Sequence, residues 1–204
     1  MYFINMFTHK TLILASSSKS RSKILKNSGV VFKQVKPRCD EEIIKAKIKQ
    51  KNKPVNIAKI LSYEKAKSIS ILKKYSNKYV LGCDTIICLE NNIFDKAKNF
   101  EQAKSKLKKL SGKKHKIISA VSVCQKEKQI WSSKQETTIT LKKLNNEQID
   151  EYLKKTGKQI LSSVGCYQAE KLGPLIIKSI KGDFFNVLGF PLFPFLSFLS
   201  NREK

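Results

Sequence analysis

Two short stretches combine residue types that bear on phosphate chemistry. In "LILASSSKSRSKIL", residues 12–25, an apolar run breaks into Ser16, Ser17 and Ser18, and Arg21 follows. With a helix starting near Ser18, the serines occupy a strand-to-helix turn where backbone N–H groups and the positive end of the helix dipole converge, a setting that suits an anion. Arg21, one turn into that helix, carries a planar fork that pairs with two phosphate oxygens. The serines also read simply as helix caps, and the stretch lacks the Gly-x-x-x-x-Gly-Lys pattern of a P-loop. In "VLGCDTIICL" Asp84 interrupts an apolar run, with Thr85 beside it. A buried carboxylate must be hydrogen-bonded or bound to a cation, because leaving it unpaired costs several kcal/mol; at a strand end it would instead cap a turn. The acidic group "CDEE" (Asp40, Glu41, Glu42) stands out among only 16 carboxylates. With Asp84 it offers oxygen ligands to a divalent metal; alone it reads as a solvated loop.

Lysines are too numerous for most to carry information, and a surface position is the ordinary reading of each. Lys65 in "SYEKAKS" and Lys96 in "DKAK" gain interest by location, one on a helix and one in a loop after the Asp84 strand. His115 reads as structural and His9 lies near the terminus. No Ser-His-Asp or Cys-His pattern emerges.

These side chains need elements to position them. The order strand (11–15), turn, helix (about 19–28), strand (30–36) points to an α/β fold. A lysine-rich connector is expected over 41–53, and Pro54 opens a helix that puts Ile57, Ile60, Leu61, Ala66 and Ile69 on one face. Residues 79–89 form a β-rich run, and helical spacing from 100 to 110 carries Phe100, Ala103, Leu107 and Leu110 until Ser111-Gly112 stops it. Two long strands, 115–125 and 129–144, meet at "KEK"; a short helix runs from Asn145 or Asn146 to about Lys155. A strand and a Gly-rich bend fill the last third. The expected architecture is an α/β fold with a mixed, twisted sheet flanked by helices, and a cleft.

With 204 residues, 41% of them hydrophobic, the chain can bury a real core. The formal charge of +25 would ordinarily indicate nucleic acid or an anionic membrane. Here lysines are spread over nearly every segment, which an A/T-rich coding bias also yields, so both origins stand. Five cysteines, an odd number without a CxxC pair, argue against a zinc knuckle or a disulfide framework and suit a reducing cytosol. The N-terminus lacks the basic region and cleavage site of a signal peptide; residues 1–10 read as an extension and 11–204 as one domain. Near the other end, "FFNVLGFPLFPFLSFLS" is uncharged, but Gly189, Pro191 and Pro194 argue for a core strand, a turn and a short docking helix over a membrane span.

With these segments in order, the chain resembles the Maf family of nucleoside triphosphate pyrophosphatases, associated also with inhibition of septum formation. The resemblance runs from Leu12 to Leu192 through "LILASSSKSRSKIL", "CDEE", "LSYEKAKSI", "VLGCDTIICLENNIFDKAKNFEQAKSKLKKLSGKKHKIISAV", "IDEYLKKTG", "VGCYQAEKLG" and "IKGDFFNVLGFPL". It implies an elongated mixed sheet with two lobes and a substrate cleft, similar to inosine triphosphate pyrophosphatases. The implied reaction is hydrolysis of a nucleoside triphosphate to the monophosphate and pyrophosphate, assisted by a divalent cation (Mg²⁺ or Mn²⁺), in a cytoplasmic homodimer. Asp84 then activates water or holds the metal, with Glu41 as second carboxylate. Ser16, Ser18, Arg21, Lys65 and Lys96 hold the phosphates, and Ser20, Thr85 and Glu170 bear on base choice. Water is expected to attack the α-phosphorus in line. Two departures stand out. The family commonly has Pro-Arg-Arg where this chain has Lys19-Ser20-Arg21, and Gly-Lys-Pro or Glu-Lys-Pro where it has Asp95-Lys96-Ala97.

Relatives preferring thymidine and uridine triphosphates resemble this chain at Thr85 but tend to carry Gln in place of Glu170; those acting on 7-methylguanosine triphosphate resemble it at Glu170 but lack the threonine. A carboxylate only accepts hydrogen bonds and so favours a donor-rich edge such as that of guanine, whereas glutamine also donates to a uracil carbonyl. The alternative is a nucleic-acid-binding or division-regulating protein with a vestigial cleft, marked by nonspecific, salt-dependent DNA binding without hydrolysis. Glu170→Gln is expected to shift relative kcat/KM towards pyrimidine triphosphates; an unchanged ranking would remove Glu170 from base selection.

Overall fold

The computed structural model describes residues 12–201. The N-terminal extension and His9 lie outside the described residues. The elements run β1 (Leu12–Ala15), α1 (Lys19–Asn27), β2 (Phe32–Val35), α2 (Glu41–Ile48), α3 (Pro54–Ser70), β3 (Val80–Leu89) and β4 (Asn92–Phe94). They continue with α4 (Phe100–Leu110), β5 (Lys114–Gln125), β6 (Lys128–Leu141) and α5 (Asn146–Thr156). After 3₁₀ turns at Gly157–Ser162 and Gly173–Leu175 come β7 (Ile177–Lys181), α6 (Phe184–Val187) and α7 (Leu192–Ser200). Seven strands form one mixed sheet in the order β2-β1-β3-β5-β6-β7, with β4 paired to β3. β1 lies parallel to both β2 and β3, while β4 and β7 run antiparallel to their partners.

Two compact units make up the chain. The first comprises the described residues up to Thr85, then Ser119–Gln135 and the segment from Gly189 onward; the second comprises Ile86–Ile118 and Glu136–Leu188. In the first, β1 is buried along its whole length, and Ile13, Ala15 and Val80 pack with Ala66 and Ile69 of α3. In the second, the apolar faces of α4 (Ala103, Leu107, Leu110) and α5 (Ile149, Tyr152, Leu153) share a core with Ile117, Ile139 and Leu141.

Local signals explain most boundaries. Asn145 caps α5 through a capping box with Gln148, and Pro54 sits in the first turn of α3, where its missing N–H costs nothing. Two expectations need correction. The stretch 41–53 is not an open connector, because Asp40 accepts a hydrogen bond from the Ile43 N–H at 3.0 Å and starts α2. Glu41 and Glu42 then lie in the first turn and Lys45 and Lys47 near the last, the arrangement the helix dipole favours. The CDEE group is therefore a helix start, not a loop. The segment "FFNV" is one turn of helix and not a core strand, since Asp183 accepts from the Asn186 N–H at 2.7 Å and caps it. The docking helix does form, as α7, with Pro194 in its first turn. Among the described residues no helix is long and apolar enough to cross a membrane.

His115 is structural, as its sequence context indicates. It is 2% exposed, and its Nε2 lies 2.6 Å from the Tyr167 hydroxyl. Burial pushes the imidazole down from 6.5 to about 4. Between these values the unfolded chain binds the proton and the folded one does not, so stability falls as pH drops through that window. Urea unfolding at pH 7 and pH 4 is expected to show about 3 kcal/mol of loss that His115→Gln lacks. Parallel pH dependences for the two proteins would contradict this.

Candidate active site

The site grows from the contact between α3 and β3. A Cβ at Gly82 would stand 2.1 Å from the Ser62 carbonyl oxygen and 2.6 Å from the Ala66 nitrogen, so only glycine lets the strand and helix backbones approach this closely. Two residues along β3, on the same face of the sheet, stands Asp84; one helical turn from Ser62 stands Lys65. The close approach brings them together. Lys65, 5% exposed, donates from Nζ to Asp84 Oδ1 at 2.7 Å and pairs with Glu41 Oε2 at 2.7 Å. Asp84 is 8% exposed, whereas Glu41, on the first turn of α2, reaches in from an exposed position.

Burial by itself would push the Lys65 ammonium down, and Arg21 adds to that. Asp84 and Glu41 outweigh both, so its affinity for the proton is raised above the ordinary 10.5. A base with a raised folded-state value contributes stability fully present below 10.5 and lost only as pH climbs through the folded value. Lys65 thus stays protonated at neutral pH.

A second hub lies in the same unit. Ser18 caps α1 by accepting the Arg21 N–H at 3.3 Å, and Ser16 Oγ accepts the Ser18 N–H at 3.2 Å. The capping reading therefore holds for Ser18, and the cap serves to aim Arg21. The Arg21 guanidinium donates to Ser16 Oγ at 3.3 Å, to Thr85 Oγ1 at 2.9 Å and to the Gly189 carbonyl at 3.0 Å. Thr85 also donates to the Gly189 carbonyl, at 3.2 Å, and its hydroxyl lies 3.0 Å from Ser119 Oγ. Gly189 holds φ +94, in the region open to glycine, which turns its carbonyl towards three donors including the Cys83 thiol at 3.3 Å. Gln34 fixes the serine turn from β2, donating to the Ser16 carbonyl at 2.7 Å.

The first unit thus gathers Ser16, Ser18, Arg21, Glu41, Lys65, Asp84 and Thr85. Ser20 lies exposed on the first turn of α1. Lys96 and Glu170 are both exposed residues of the second unit, Lys96 on the strap between β4 and α4 and Glu170 in the bend before the 3₁₀ turn at Gly173. Gly82, Gln34, Ser119 and Gly189 are the residues that sequence reasoning missed. A lone glycine in the Asp84 strand was a readable sign of close backbone approach. Nothing local links Gly189 to Arg21, 168 positions away.

Among the described residues no group of three or more His, Cys, Asp or Glu is arranged to hold a metal. The donor set fits Mg²⁺ nonetheless, because that ion keeps several waters and binds through one or two carboxylates plus substrate phosphates. Asp84 and Glu41 are the two carboxylates that could serve, both within reach of one ammonium.

Removing one partner of a buried ion pair costs about 3–5 kcal/mol, because the other charge is left uncompensated. Lys65→Met is expected to destabilise by roughly that amount in urea, while Lys65→Met with Asp84→Leu recovers about half of the loss. Losses that simply add would show that the pair is not coupled.

The family model described as Maf-like protein matches residues 11–202. The chain is 38% identical over 194 residues to the 7-methyl-GTP pyrophosphatase of Bartonella henselae, covering 95% of this chain and 96% of the relative. It is 37% identical to the protein of that name from Brucella abortus, with the same coverage, and 35% identical to the nucleoside triphosphate pyrophosphatase of Caulobacter vibrioides, covering 91% and 92%. The chain belongs to the Maf family.

Proposed function

We propose that this protein hydrolyses nucleoside triphosphates to the monophosphate and pyrophosphate, and that its substrate is a guanine-type or otherwise modified nucleotide removed in a house-cleaning role. The observation that carries the reading is the buried Lys65–Asp84 pair with Glu41 on the same ammonium, in one unit with the Arg21 hub. Two carboxylates and two cations leave this cluster near neutrality, so a ligand bringing about four negative charges is accommodated if a divalent cation accompanies it. The names of the relatives support the reaction class, and the 7-methyl-GTP pyrophosphatases among them support a modified guanine base.

Within this reading Ser16, Ser18 and Arg21 form the phosphate cradle at the start of α1. Lys65 fixes the Asp84 carboxylate through Oδ1, and Asp84 orients the attacking water by accepting its hydrogen bond. Asp84 and Glu41 are the residues that would hold a divalent cation, which when bound supplies Lewis-acid stabilisation of the phosphate charge. Lys96 balances the departing pyrophosphate, and Ser20, Thr85 and Glu170 bear on the base. Arg21 engages Thr85 directly, so the threonine acts first on the phosphate side, through the guanidinium it orients. The five cysteines are free thiols, which accords with the reducing cytoplasm where we place the activity, as a homodimer.

The test is pyrophosphate release by the purified protein with Mg²⁺ or Mn²⁺ across normal and modified nucleoside triphosphates. Wild-type release that falls by roughly 10²- to 10⁴-fold in Asp84→Asn is the expected result. Silence across the panel, or a variant that keeps its turnover under saturating metal, would overturn the assignment.

A further inference from the structure

The second unit buries a lysine where its helix pattern calls for an apolar side chain. Ala103, Lys106, Leu107 and Leu110 occupy the inward face of α4 at spacings of three and four, and Lys106 is 8% exposed. An ammonium taken out of water is costly unless it meets acceptors. Lys106 Nζ donates to the Val164 carbonyl at 2.9 Å and to the Asp95 carbonyl. One ammonium therefore ties Asp95 to Val164, about 70 residues further along the chain.

Both segments carry a residue to which the proposed function gives a role. Lys96 follows Asp95, whose carbonyl the Lys106 ammonium holds on its strap. Glu170 follows Cys166 by four residues, through a bend closed by its own bonds. Ser163 Oγ donates to the Tyr167 carbonyl at 2.6 Å, and the Gln168 carbonyl accepts the Lys171 and Gly173 N–H groups at 3.0 and 2.9 Å. Tyr167 is anchored on His115. Cys166 holds φ +55, a left-handed conformation that a non-glycine residue seldom adopts. The Lys106 ammonium holds this bend at its start, through the Val164 carbonyl.

We propose that Lys106 is a positioning residue that fixes the Lys96 strap and the Glu170 bend relative to each other, and so sets how tightly these two residues hold the nucleotide. This rests on the proposed reaction and goes beyond it, since Lys106 acts through the Asp95 and Val164 carbonyls. A methionine fills the stem of the lysine but cannot donate, which leaves two carbonyls without their ammonium. A glutamine keeps one donor on a shorter arm.

The experiment compares wild type, Lys106→Met, Lys106→Gln and, as a control on the exposed side of α4, Lys108→Met. Two readouts are taken: amide hydrogen exchange over 95–98 and 163–171, and KM and kcat for the best nucleotide of the panel. Exchange in both segments is expected to speed up together by about 10-fold or more in Lys106→Met, with KM raised about 10-fold, kcat within about 3-fold and Lys106→Gln intermediate. Lys108→Met should match wild type. Unchanged exchange in a folded variant would overturn the tie between segments, and loosened segments with unchanged KM would reduce Lys106 to a purely structural residue, which also overturns the proposal. If Lys106→Met does not fold, Lys106→Gln decides by the same criteria. A wild type silent on every nucleotide would defeat the proposed reaction, and the affinity claim with it, while exchange would still decide whether Lys106 ties the segments.

Discussion

The Lys65 ammonium is the contact on which the first unit's chemistry depends. β3 is buried along most of its length, and a carboxylate in its middle can be tolerated only beside a compensating charge. Lys65 supplies it from α3, and the missing side chain at Gly82 brings that helix close enough for the pairing. The same ammonium draws in Glu41, which makes the start of α2 part of the cluster although α2 buries no residue of its own. A structural requirement, neutralising one buried carboxylate, thereby produces a chemical feature: two carboxylates and a cation held at a single point.

Arg21 solves the complementary problem. Its guanidinium carries a full charge and is spread over a carbonyl and two hydroxyls, all neutral acceptors. It is thus oriented without a carboxylate hydrogen-bonded to it directly, which suits it to engage an anion. The serines at the end of β1 serve this arrangement in an ordinary way, as a helix cap and as an acceptor, and the turn they build sets Arg21 over Thr85. Gly189 completes it from the far end of the chain by presenting its carbonyl at a φ that other residues seldom adopt.

Much of this was legible in the sequence, for identifiable reasons. The β1-turn-α1-β2 order, the span of α4 and the cap of α5 follow from apolar spacing and capping residues, which act locally. Asp84 stood out because a carboxylate inside an apolar run needs an explanation, and the explanation is Lys65. α2 was missed because its lysines dominate the composition of 41–53, while the single capping bond of Asp40 decides the conformation. "FFNV" misled in the same way, its aromatic residues favouring a strand until Asp183 and Gly189 bound it as one helical turn. Gly189 and Lys106 were not legible at all. Their partners lie far away in the chain, and a buried lysine in a lysine-rich protein leaves no mark in composition.

The account stands or falls on where water attacks. Hydrolysis in H₂¹⁸O followed by ³¹P NMR or mass spectrometry of both products locates the new P–O bond. Attack at the α-phosphorus, directed by a carboxylate that Lys65 holds, puts the label in the nucleoside monophosphate and leaves the pyrophosphate unlabelled. Label in the pyrophosphate, or release of labelled orthophosphate in its place, would mean that the cluster of Asp84, Glu41, Lys65 and Arg21 serves a different reaction.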